Sequence, residues 1–259
     1  MFYYFYQVQI IASILGGRLA TSSTPEIDKY DGELSARLFR LMKLHDQRVQ
    51  SPSFSPSTST PGLELALLRF LQEFRKVYIG DYATASASIY IRLQELMGLA
   101  DPNAVLGLIL QKICNNLRFW AKNRHIVERT LSLCNTISSG YSSGKLLRKV
   151  ELTNHLFGHH TSQFFPFLDV PTNARGRTQF YNTLAKLLFL DCSVREFNSF
   201  MAPFAQVFLR LLALGPEQFR QPMVMTAVAG LLRDLRGIVD ATVSGPTYNM
   251  FFDWLYESK

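Results

Sequence analysis

The chain has 259 residues, 47% of them hydrophobic and 18% charged, and its 27 basic and 20 acidic side chains give a net charge of +7. So much apolar content excludes disorder for most of its length. The basic residues are scattered, with no run of five or six, which argues against a nucleic-acid binder; the excess of positive charge instead favours acidic partners through a mild long-range field.

Apolar residues recur every three or four positions in segment after segment, with almost no strand-like alternation, so the expected class is all-α. Met1 to Leu15 is apolar and aromatic. No Lys or Arg precedes that run, Gln7 and Gln9 interrupt it, and it falls short of the ~20 residues of a membrane span. It reads as a core helix over 3–18 whose packing partner is expected upstream, and no membrane insertion is expected. Helices follow over 29–46, 63–79 and 83–98. Between the second and third, Ser51 to Gly62 reads SPSFSPSTSTPG, which is too rich in Ser, Thr and Pro to build a core and predicts a flexible loop.

Gly98 is placed to end the fourth helix, and Asp101-Pro102 to start a fifth over 102–120, with the carboxylate as N-cap and proline in the first turn. Leu106, Ile109, Ile113, Leu117 and Trp120 make its apolar stripe. Six further helices are predicted over 124–138, 142–157, 176–190, 194–213, 221–240 and 246–257, for about eleven in all. Leu231, Leu232, Leu235 and Ile238 form the stripe of the tenth, and Gly215-Pro216 and Gly245-Pro246 punctuate the last three. Helices joined by short connections predict antiparallel pairs stacked in series. The expected architecture is a HEAT- or armadillo-like α-solenoid with about 40 residues per pair, filling 1–259 as one piece.

No motif in the chain carries catalysis convincingly. Gly140 to Lys145 looks like a phosphate loop, but the spacing is one residue short and Leu146 stands where a hydroxyl should meet magnesium; a capped turn between helices explains it better. His155, His159 and His160 suggest metal binding, yet position 156 is Leu and no Cys pair completes a site, so a solvated helix end is expected there. No strained G-x-S-x-G turn exists for a serine nucleophile. Cys114, Cys134 and Cys192 are odd in number and far apart, which fits reduced, buried thiols. Arg233-Asp234-Leu235-Arg236 alternates charge on a helix and reads as an ion-pair ladder, with contact to a partner as the functional alternative. Catalytic, cofactor-binding and metal-binding residues are therefore expected to be absent, and no residue is assigned to partner contact.

Seven words of the sequence carry more specific information. They are YDGELSARLFRLM (30–42), EFRKVYIGD (73–81), GYSS (140–143), HTSQFFPFL (160–168), GRTQFYNTLAKLL (176–188), GLLRDLRGI (230–238) and FDWLY (252–256). In this colinear order they resemble the exportin-7 family of the importin-β superfamily, over essentially the whole chain. The resemblance implies a HEAT-repeat nuclear export receptor. Such a receptor carries protein cargo with GTP-bound Ran, passes Phe-Gly nucleoporins and shuttles through the nuclear pore between nucleus and cytoplasm. It needs no cofactor, performs no chemistry of its own and touches no nucleic acid. The alternative is a free-standing helical-repeat interaction scaffold without transport activity. The Ser/Pro-rich loop looks like an insertion relative to the family. The resemblance covers only an interior part of the longer receptor, without the repeats that hold Ran. An interior piece is expected to show apolar ends, at Phe2 to Tyr6 and at Phe251, Phe252 and Trp254, and to self-associate; a monodisperse monomer in light scattering would count against this.

Overall fold

The computed structural model describes residues 2–18, 24–53, 61–80, 87–242 and 244–257. Among these residues there are thirteen α-helices and no strand. In chain order they are α1 (Phe2–Gly16), α2 (Pro25–Gln50), α3 (Pro61–Tyr78), α4 (Ala87–Met97), α5 (Pro102–Phe119), α6 (Arg124–Ser139) and α7 (Tyr141–Lys149). Then come α8 (Glu151–Gly158), α9 (Ala174–Leu188), α10 (Val194–Leu212), α11 (Pro216–Phe219), α12 (Pro222–Val239) and α13 (Gly245–Glu257), with short 3-10 turns at Pro166–Asp169 and Pro171–Asn173.

The start and stop signals work as their chemistry requires. The Asp101 carboxylate accepts the Ala104 N–H at 2.8 Å, just before Pro102, and the Thr24 hydroxyl accepts that of Ile27 at 3.3 Å, just before Pro25. Each satisfies an amide that the first helical turn leaves without a partner. Ser193 and Glu196 cap α10 reciprocally. Gly98 ends α4 at φ +74°, in the left-handed region that glycine enters without a Cβ clash.

Contacts between helices sort into two layers. In the first, α1 packs on α3, α3 on α6, α6 on α9 and α9 on α12. In the second, α2 packs on α4 and α5, α5 on α7 and α8, and α8 on α10; α13 joins through Trp254, whose ring lies 6.1 Å from that of Phe208. Residue numbers fix the directions. Phe5 lies against Gly62, Ser13 bonds Arg69, and Gly16 sits beside Glu73, so α1 and α3 run parallel. Thr178 bonds the Arg233 carbonyl and Asn182 that of Gly237, so α9 and α12 also run parallel. Between layers the order reverses: in α2 and α3, Asp31 meets Tyr78, whereas Asp46 shares Lys112 with Glu64. Parallel neighbours within a layer and antiparallel neighbours across layers define the stacked array expected of an α-solenoid.

The unit of the array is longer than expected. First-layer helices begin at Phe2, Pro61, Arg124, Ala174 and Pro222, so one unit takes 48 to 63 residues rather than about 40. The extra length lies between successive first-layer helices: the 26-residue α2 follows α1, both α4 and α5 follow α3, both α7 and α8 follow α6, and α10 with α11 follow α9. The helix predicted over 142–157 is two helices, because Val150 takes an extended conformation at ψ 125°. The Thr153 hydroxyl then bonds the Leu147 carbonyl at 2.6 Å, satisfying a group that the interrupted helix releases. The loop predicted at 51–62 falls mostly outside the described residues; within them Ser51 closes α2, and Pro61 and Gly62 already belong to α3. The start of the helix predicted from 83 also lies outside the described residues. The stripe of α5 is buried throughout, but in α12 Leu232 faces outward while Leu231, Leu235 and Ile238 are buried. No helix among the described residues is long and apolar enough to cross a membrane.

Candidate interaction face

A helix array offers its partners surfaces rather than a cleft of converging groups. The first-layer face follows from periodicity. In α6, burial of Ile126, Val127, Thr130, Leu131, Cys134 and Ile137 turns His125, Glu128, Arg129 and Ser132 outward. The same spacing turns out Arg69, Gln72 and Lys76 on α3, Arg175 with Asn182 and Lys186 on α9, and Arg233 and Arg236 on α12. Hydrogen bonds join these helices across the face: Arg69 to Gln9 at 2.6 Å and to Ser13 at 3.2 Å, and Thr178 to the Arg233 carbonyl at 3.2 Å. Lys186 Nζ lies 3.5 Å from Asn135 Oδ1. A groove of about 390 Å³ runs between α1, α3 and α6, and one of about 460 Å³ between α3 and α6. Leu65 and Arg129 line both.

Buried polar clusters hold the helices in register beneath this face. Lys112 of α5, fully buried, donates to Glu64 of α3 at 2.7 Å and to Asp46 of α2. Asn115 donates to Asp46 at 2.9 Å, and Asn116 to Glu64 at 2.7 Å and to Thr130 of α6 at 3.1 Å. His45 Nε2 lies 3.3 Å from Glu64 Oε2. Two carboxylates thus compete for one ammonium. Burial raises both carboxyls, but at Glu64 Lys112 and His45 outweigh it and hold the group near 2. At Asp46 burial prevails and the shift is upward. Nearer the amino end, Arg18 grips Asp31 with two bonds of 2.9 and 3.0 Å, and Tyr78 donates to Asp31 at 2.7 Å.

The residues singled out as chemical candidates take structural places. His160 is buried among Phe200, Phe204 and Tyr181, with Nε2 3.0 Å from the Phe200 carbonyl, and burial pushes it down to about 4. The expected solvated helix end is therefore wrong for His160: the chain turns inward after α8 and takes the imidazole into the core. His155 and His159 do remain at the helix end, stacked with ring centres 3.9 Å apart, and no metal-binding group of His, Cys, Asp or Glu occurs among the described residues. Gly140 joins α6 to α7, and a Cβ on Gly144 would lie 2.7 Å from the Ser138 carbonyl oxygen, so the false phosphate loop is a close helix–helix turn. The three cysteines are free, and burial pushes Cys114 and Cys134 up to about 12 and Cys192 to about 11. Such thiols stay protonated and inert. The Arg233–Arg236 ladder divides: Asp234 points inward and binds Arg177 of α9, at 2.8 Å from its Nε, whereas Arg236 pairs on the surface with Asp240 at 3.5 Å. Sequence reasoning missed Lys112, whose charge sits in an apolar-looking helix, and Arg177. For Arg177 the only signal is charge complementarity with Asp234 across two helices.

Helices stacked in two parallel layers define the class of the fold: a helical-repeat array. Residues 4–176 match the family described as exportin-7-like, TPR domain, and the chain belongs to that family. It is 40% identical over 253 residues to exportin-7 of Dictyostelium discoideum, covering 96% of this chain and 25% of that protein. It is 38% identical to Ran-binding protein 17 of Homo sapiens and 37% identical to exportin-7-B of Xenopus laevis, each match covering 96% of this chain and 23% of the relative. The chain thus spans about a quarter of the length of the curated relatives it matches. No solved structure matches it.

Proposed function

We propose that this chain serves nuclear export, as a stretch of transport receptor that supplies helical surface for capturing protein cargo together with GTP-bound Ran. The observation that supports this reading is colinear similarity across 96% of the chain to proteins named exportin-7 and Ran-binding protein. The receptor passes the nuclear pore by transient contact with Phe-Gly nucleoporins and shuttles between nucleus and cytoplasm. It performs no catalysis and uses no cofactor. A solenoid suits the task, because its long surface can wrap a folded partner and small adjustments between units can change its pitch. Cargo and Ran then strengthen each other's binding by equal free energies.

The test is capture of partners from nuclear extract on an immobilised receptor that carries this stretch together with Ran-holding repeats, with Ran locked in its GTP or GDP form. Partners retained with the GTP form and shed with the GDP form are the expected result. Capture indifferent to Ran would support the free-standing scaffold instead.

A further inference from the structure

We infer that the first-layer face, from α1 across to α12, is a docking surface for an acidic patch on a folded protein. This rests on the reading of the chain as a protein-capturing array and names the chemistry of what that array captures.

Charge on the face is lopsided. Its acids are already engaged: Glu128 with Arg124 at 2.7 Å, Asp240 with Arg236 at 3.5 Å, and Glu73 with Lys76 at 4.0 Å. Arg69, Arg129, Arg175, Lys186 and Arg233 have no acidic partner within ion-pair distance among the described residues. Arg69 and Lys186 meet only neutral oxygens. These five cations sit on four successive parallel helices, so they form a band across the array rather than a cluster at one point. With neighbouring helices 8–10 Å apart, five first-layer helices span roughly 35 Å, and helices of this length run about 25 Å. The area is on the order of 800 Å², one side of a standard protein–protein interface.

Relief and composition favour protein over nucleic acid. Arg129 and the half-buried Leu65 line both grooves, so a carboxylate meeting Arg129 brings its stem beside apolar surface. The exposed large hydrophobics include no aromatic from α3, α6, α9 or α12, the four helices that carry the cations; Tyr4 and Tyr6 are exposed on α1, at the edge of the face, so the band itself offers no ring on which bases could stack. The interspersed ion pairs of Glu73, Glu128 and Asp240 divide the band into separate cationic points, which suits discrete carboxylates better than a continuous phosphate backbone.

The experiment uses the full chain and two labelled probes, an oligo-glutamate peptide and a duplex oligonucleotide. Binding is followed by fluorescence anisotropy at low and at physiological salt. One variant reverses the band (Arg129→Glu, Arg175→Glu and Arg233→Glu together). Its control reverses three exposed cations of α2 in the other layer (Lys29→Glu, Arg37→Glu and Lys43→Glu). All six side chains are exposed, and circular dichroism checks that both variants fold. The expected result is that the band variant weakens peptide binding about tenfold or more while the control stays within about twofold, with affinity falling as salt rises. Equal losses in the two variants would reduce the effect to net charge and overturn the proposal, as would tighter binding of the oligonucleotide than of the peptide. The Ran-dependence of capture is scored separately. Peptide binding at the band without Ran-dependent capture would strike the transport reading and leave the surface standing; the converse would strike the surface alone.

Discussion

The two halves of the array both pack rings between helices, but one of them adds a fully buried ammonium shared by two carboxylates. Between α2, α3, α5 and α6, rings (Phe39 against Phe70 and Phe74 at 5.3 Å) are joined by buried charge, with Lys112 shared by Glu64 and Asp46 and flanked by Asn115 and Asn116. Between α8, α9 and α10 they are tied by rings: Phe157 of α8 against Phe200 of α10 at 6.2 Å, Tyr181 of α9 against Phe204 of α10 at 5.1 Å, and His160 against Phe200 at 4.5 Å. Rings fill volume and tolerate sliding. A buried ammonium between two carboxylates has one acceptable geometry, so it fixes register at the cost of desolvation. The difference teaches that one solenoid can combine a specified half and a filled half, provided both leave the parallel layers intact.

The comparison breaks most readily at Lys112. Lys112→Met strands two buried carboxylates and should cost about 4 kcal/mol in urea unfolding. The triple change Asp46→Leu, Glu64→Leu and Lys112→Met should recover most of that loss, because the desolvation penalty goes with the charges. If the triple variant were as unstable as the single one, the cluster would be contributing net stability and not only register.

The aromatic half should show itself through pH. His160 titrates near 4 in the fold against 6.5 in an exposed chain. Between those values the unfolded chain binds a proton that the folded one refuses, so stability falls as pH drops from 6.5 to 4, by about 3 kcal/mol. His160→Gln should flatten that slope. Glu64 acts lower: its stabilising contribution is complete above 4.5 and is lost as pH falls toward 2. Unfolding curves for the two proteins between pH 7 and 4 separate the effects.

A smaller effect tests the contact between α9 and α12. A Cβ on Gly237 would lie 2.4 Å from the Thr178 carbonyl oxygen and 3.0 Å from the Asn182 backbone nitrogen. Gly237→Ala must therefore push the helices apart, for about 2 kcal/mol. Gly215→Ala, where a Cβ meets nothing within 4 Å, should stay within about 0.5 kcal/mol.

The helices were legible because their evidence is local: Asp101-Pro102, Gly98 and the stripe from Leu106 to Trp120 each report on a few neighbouring residues. The break at Val150 was not, since nothing nearby forbids a helix there and the Thr153 bond that completes the break becomes visible only in three dimensions. His160 looked solvent-facing because it follows Gly158 and His159 in a polar stretch, while its burial depends on Phe200, forty residues away. The basic band was invisible for the same reason. Arg69, Arg129, Arg175 and Arg233 stand far apart in sequence and adjoin only once parallel stacking brings α3, α6, α9 and α12 side by side.

The shared lysine also constrains how this lineage can change. Losing Lys112 leaves two buried carboxylates without a counterpart, whereas losing Asp46 or Glu64 leaves one ion pair, from which either further loss strands the remaining charge. Drift that proceeds one residue at a time meets a valley there. The constraint at Lys112 is therefore set by two other helices at once, through Asp46 of α2 and Glu64 of α3.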